Sequence, residues 1–217
     1  MSNPSIYELQ KSGNYELIGQ LHHDEIKEFV LQQLSEGGKL VFSFMIYQFL
    51  MILLGLFFFT RSIVKAFNGY FEQLYFSLAA LVFCFTFLIV IHELLHAAAL
   101  KFTGAKKINF GGYLRKFIFY AEADQHVLNR KQFAFVALAP LTVIKIVSLA
   151  GIIFYFFHPA VYFFIFLMGA HSLFCAGDIG LLTLFYKDKE AAIFTFDVKA
   201  EKTSYYYQKT QLIRTQA

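Results

Sequence analysis

The sequence predicts an all-α membrane protein of about four transmembrane helices, with a short β-like cytoplasmic loop between spans two and three. Three observations lead there. Hydrophobic residues make up 58% of the 217-residue chain and charged residues only 16%, against roughly a quarter charged in ordinary soluble domains. The mean hydropathy is +0.53. Finally, 29 Phe and 13 Tyr beside 3 Pro suit a lipid-facing surface better than the interior of a soluble α/β enzyme. The same composition excludes a disordered, collagenous or disulfide-stapled chain. Cys84 and Cys175 both fall inside apolar runs, so no disulfide framework is expected.

Residues 1–39 are polar and read as a cytoplasmic N-terminal segment rather than a secretory leader. Within them Ile26, Phe29, Val30 and Leu34 recur at helical spacing before Gly37-Gly38. That pattern predicts a short amphipathic helix on the membrane surface, with a partner-binding helix as the alternative. About 20 apolar residues cross a bilayer core as a helix. Leu40–Phe59, closed by Arg61, is the first such stretch, and about Leu74–Leu100 is the second. About Phe133–Phe157 and about Val161–Tyr186 are the third and fourth, separated by a turn at His158-Pro159. Residues 40–186 thus read as a four-helix transmembrane domain, and 187–217 as a cytoplasmic tail.

Basic residues orient these spans. Lys11, Lys27 and Lys39 precede the first span; Lys101, Lys106, Lys107, Arg115, Lys116, Arg130 and Lys131 fall between the second and third, and six more in the tail. Only Arg61 and Lys65 lie on the opposite side. Positive-inside bias therefore predicts that both termini and the 101–131 loop are cytoplasmic, with the plasma membrane as the expected location. The lipid bilayer is an expected partner and nucleic acid is not.

Three formally charged side chains remain inside the spans: Glu93, Lys145 and Asp178. Ionisable groups are expensive in hydrocarbon, so each is a candidate functional residue. Glu93 stands in His92-Glu93-Leu94-Leu95-His96, the H-E-x-x-H pattern. Residues i and i+4 share a helix face, so both imidazoles can reach one zinc ion. Glu93, about 100° round the helix, is placed to take a proton from water rather than to ligate.

A catalytic zinc has three protein ligands, and depth selects Asp178 as the third. His92 and His96 lie eight and four residues before Leu100, and Asp178 eight before Tyr186, which puts all three roughly 6–12 Å below the cytoplasmic boundary. An ion pair between Asp178 and Lys145 is the other reading of that aspartate. His171, seven residues before Asp178, lies about 10 Å further from the cytoplasm along a straight helix. It is expected to contact a neighbouring helix or the substrate rather than the metal. His22, His23, His126 and His158 carry no ligand spacing.

The loop from Lys107 to Ala123 holds the β-favouring residues Ile108, Phe110 and Ile118 to Tyr120 around Gly111-Gly112, which reads as a hairpin. Its edge could hold an extended peptide by strand addition; a basic surface loop on anionic headgroups is the alternative.

Over roughly residues 75–186 the chain resembles intramembrane metalloproteases of the site-2 protease type, and the smaller putative zincin peptidases that are similar to them. The resemblance rests on H-E-L-L-H at 92–96, on Phe135-Val136-Ala137-Leu138-Ala139-Pro140, and on Ala176-Gly177-Asp178-Ile179-Gly180. Site-2 proteases usually carry Asn-Pro-Asp-Gly or Leu-Asp-Gly around the aspartate and Gly before the proline, so the zincin peptidases fit better. The resemblance implies Zn2+ held by His92, His96 and Asp178, with Glu93 as general base. The expected activity is hydrolysis of a membrane or juxtamembrane segment of a membrane protein or peptide substrate. A non-catalytic metal-binding, transport or interaction protein of the same fold is the alternative.

Overall fold

The computed structural model describes residues 3–113, 115, 118–188 and 190–210. Of the basic residues used above, Lys116, Lys189 and Arg214 lie outside the described residues. The chain is mostly helical, with a four-stranded antiparallel sheet and a separate two-stranded hairpin.

The N-terminal segment begins with α1 (Ile6–Lys11), whose capping box joins Ser5 to Glu8. It continues through β1 (Tyr15–His22) into a 3-10 turn and α2 (Ile26–Glu36). Gly37 and Gly38, both at positive φ, separate α2 from α3 (Lys39–Phe67). The first span therefore runs two turns beyond the expected end. Arg61 marks the edge of the apolar run, but a charged side chain does not break a helix, and α3 continues until Asn68 and Gly69.

The second span is broken rather than straight. α4 (Glu72–Phe85) and α5 (Phe87–Phe102) meet at Thr86 with a 51° bend. The Thr86 hydroxyl donates to the Val82 carbonyl at 2.7 Å, a local bond that competes with the helical ladder. After α5 comes the expected hairpin, β2 (Ile108–Tyr113) with β3 (Ile118–Ala123). A short β4 (Leu128–Asn129) leads into α6 (Arg130–Phe154), started by a capping box of Asn129 and Gln132. α7 (Val161–Phe174) and α8 (Ala176–Thr183) follow, interrupted at Cys175 and together long enough for one span. Three helical segments, or four if the bent pair is one span, are long and apolar enough to cross a membrane.

The tail carries two strands. β5 (Ile193–Val198) and β6 (Thr203–Lys209) form a hairpin, and β6 pairs with β1 from Tyr15↔Lys209 to His22↔Thr203. The sheet order is β1-β6-β5-β4. Its inward side chains, Phe196 and Tyr207, pack with Leu9 and Val127. α2 packs along α8. Gln33 accepts a hydrogen bond from the Thr183 hydroxyl at 3.1 Å.

The helices close around two further cores. Cys84, Leu88, Ile144 and Leu167 knit α4, α5, α6 and α7 together. Ala99, Leu100, Ala123 and Leu128 seat the hairpin on the end of α5. Outside, Phe42, Phe49, Phe57, Ile146 and Phe154 are exposed. Cys84 and Cys175 are free thiols, both buried.

Candidate metal centre

α5 presents His92 and His96 one turn apart, and α8 brings Asp178 across to them. His92 Nε2 and His96 Nε2 are 3.1 Å apart. Asp178 Oδ1 lies 3.1 Å from His96 Nε2, and its Oδ2 lies 3.3 Å from His92 Nε2. Three ligand atoms at such separations fit a small ion: zinc bonds of 2.0–2.2 Å in a tetrahedron set ligands roughly 3.3 Å apart. Asp178 Oδ2 is also buried without a hydrogen-bond donor, a cost that a cation at this point would offset. His92, His96 and Asp178 form a group that could hold a metal ion.

Each imidazole is oriented from behind. His96 Nδ1 lies 3.0 Å from the Val136 carbonyl oxygen. A carbonyl only accepts, so the Nδ1 proton is donated there and the neutral ring keeps its Nε2 lone pair toward Asp178. That carbonyl is available because Pro140, four residues along α6, has no N–H to claim it. His92 turns its Nδ1 to His171 Nε2 at 3.1 Å.

Glu93 points into the same space without joining the ligand group. Its carboxylate lies beside the Ala121 backbone amide of β3, and Oε2 is buried without a hydrogen-bond partner. A cavity of about 690 Å³ connects these groups to β3 and α2; Glu93, Asp178, Phe119, Ala121, Val30 and Leu34 are among its lining residues. β3 therefore runs past the Glu93 carboxylate on the wall of a largely apolar chamber.

Lys145 lies over the Tyr47 ring at 3.7 Å, while Asp178 faces the two histidines. His171 contacts a neighbouring helix, as expected, rather than joining Asp178: its Nε2 lies 3.1 Å from His92 Nδ1 on α5. His23 is buried rather than a loose polar residue. Its Nδ1 lies 3.5 Å from Glu122 Oε2, and its Nε2 lies 3.2 Å from Ser204 Oγ. Burial pushes the His23 ring down to about 4 and the Asp197 carboxyl beside it up to about 6.

A family model of putative zincin peptidases matches residues 85–193, from the end of α4 through α8 to the start of β5. That is just over half of the chain and contains every group of the centre. The chain belongs to this family. A zincin peptidase is a zinc metallopeptidase, and the cluster of two histidines and an aspartate is of the donor type that zinc takes. No curated protein and no solved structure matches the chain.

Proposed function

We propose that this zincin is an integral membrane peptidase of the site-2 protease type, which hydrolyses a membrane or juxtamembrane peptide segment near the cytoplasmic face. The observation that carries the reading is the convergence of His92, His96 and Asp178 beside a non-ligating Glu93, all in one cavity walled by β3. A site that only binds metal has no need of that fourth, non-ligating carboxylate, whose Oε2 is buried without a partner.

His92, His96 and Asp178 would hold the zinc, which when bound supplies a Lewis acid for the scissile carbonyl and for water. Glu93 takes the proton of the attacking water as its oxygen bonds to the carbonyl carbon. It then delivers that proton to the leaving nitrogen as the C–N bond breaks. A helical substrate hides its carbonyls in its own hydrogen bonds, so the segment must be extended to react. The β3 backbone beside Glu93 is suited to hold it by strand addition.

Membrane residence is supported by the three or four apolar helices and by the exposed apolar side chains of α3 and α6, a patch unusual for a monomer in water. Cytoplasmic termini are supported by the basic residues flanking the spans; the plasma membrane is the location we propose. The pairing of β1 with β6, which keeps both ends on one side, agrees with cytoplasmic termini.

The test is the full chain in proteoliposomes with a panel of single-span membrane proteins, alongside elemental analysis. Glu93→Gln should retain near one zinc and lose turnover, whereas His92→Ala should lose both. Cleavage by Glu93→Gln at the wild-type rate, or no zinc in wild type after zinc is supplied, would overturn the proposal.

A further inference from the structure

His92 has two ring nitrogens facing two different groups of atoms. Nε2 faces His96 and Asp178. Nδ1 faces His171 Nε2 at 3.1 Å. Beyond His171, Cys175 Sγ lies 3.8 Å from its Nδ1. His171 and Cys175 are essentially sealed from solvent, at 2% and 0% exposure. Neither is accounted for by the chemistry of Glu93 and the three ligands.

We infer that His171 is a positioning residue for the metal centre: it accepts the Nδ1–H of His92 and so fixes the ring with its Nε2 lone pair aimed at the ion. The tautomers close in one direction. Nε2 of His92 must be unprotonated to ligate, so Nδ1 carries the hydrogen. His171 Nε2 must then be the acceptor, which leaves the His171 proton on Nδ1; Cys175 Sγ packs against the ring, 3.8 Å from Nδ1 and 3.9 Å from Nε2.

His171 cannot itself ligate the ion held at His92 Nε2, because it sits against the opposite nitrogen of that ring. His96 is served by a backbone carbonyl, but His92 lies against α7, where no carbonyl is released by a proline. An imidazole side chain takes that role instead. This inference rests on the zinc-centre reading of His92, His96 and Asp178.

The experiment measures zinc affinity of the detergent-solubilised full chain by competition with a chromophoric chelator, and the visible spectrum of its Co2+ form. The variants are His171→Leu, which fills the space without an acceptor, and His171→Gln, whose side-chain carbonyl can accept. Loss of such an outer partner typically weakens metal binding by about 10–100-fold. His171→Leu should show that loss with an altered Co2+ spectrum, and His171→Gln should recover most of both. One zinc should remain the limit in each.

Equal affinity and spectrum in wild type and His171→Leu would overturn the inference while leaving the three-ligand centre standing. Two zinc ions in wild type, falling to one in His171→Leu, would make His171 a ligand and also overturn it. Absence of zinc from wild type would instead remove the centre itself. Should His171→Leu aggregate, His171→Gln decides: affinity near wild type supports the role, and affinity as low as that of His92→Ala sinks it.

Discussion

The carbonyl oxygen of Val136 receives the Nδ1 proton of His96, at 3.0 Å, because the residue that would ordinarily bond it along the helix is Pro140. A residue that looks like a helix defect thus supplies the acceptor for a ligand. Pro140→Ala restores an amide that competes for Val136. Zinc affinity should fall by about tenfold, at the low end of outer-partner effects, while the helix itself is stabilised. Chelator competition on Pro140→Ala would read this directly; unchanged affinity would remove the link.

In the proposed centre Asp178 would be the one anionic ligand. Asp178→Ala should lose most bound zinc, and Asp178→Asn should keep a weakened site, since the amide oxygen can ligate but carries no charge. Elemental analysis after dialysis against a mild chelator separates the two. Full zinc retention in Asp178→Ala would exclude the aspartate from the centre.

Gly180 sets the distance between α8 and α2. A Cβ there would fall 2.8 Å from Val30 Cγ1, so Gly180→Val should push α2 away from the cavity wall that it completes. Hydrogen exchange over residues 26–36 should rise sharply. The double variant with Val30→Ala should return toward wild type, since it makes the missing room. Failure of that rescue would mean that α2 is held by something other than this contact.

The terminal sheet carries a pH dependence of its own. Burial raises Asp197 to about 6, so its protonated form is favoured by folding. Its contribution is complete below the ordinary carboxylate range and is lost as pH rises through about 6. His23, lowered to about 4, acts in the opposite sense: its contribution is complete above the ordinary imidazole value and is lost as pH falls through about 4. Asp197→Asn deletes the first dependence alone. The variant sheet should gain on wild type as pH rises from about 4 to 6, by up to about 1.4 kcal/mol per pH unit. Exchange protection of β5 and β6, corrected for intrinsic rates, measures it; parallel pH curves for the two proteins would contradict it.

Much of this arrangement could be read from residues alone. Two histidines one turn apart and an aspartate at matching depth point to one another because membrane thickness converts sequence distance from a boundary into a coordinate. The same conversion separates His171 from Asp178, and His171 indeed lies against His92 of α5 instead. The bend of the second span at Thr86 escapes it, because hydropathy registers apolar content, not a hydroxyl bonded to Val82.

The sheet went unseen because its strands lie far apart in the chain, at Tyr15–His22 and Ile193–Lys209. Pro140 was visible as part of a family-like segment, but its use is a matter of which carbonyl it frees, and that needs the neighbouring helix.

The union of β1 with β6 also governs when the molecule can be finished. β1 is made before any of the long helices, yet its partner leaves the ribosome only after all of them have emerged. Until then the first strand has an open edge, exposed to whatever other unpaired strands are nearby. A nascent chain stalled after α8 would carry its metal ligands already assembled in sequence but its outer sheet unclosed. Quality control acting on such a chain can recognise the edge of β1 that β6 covers in the completed chain.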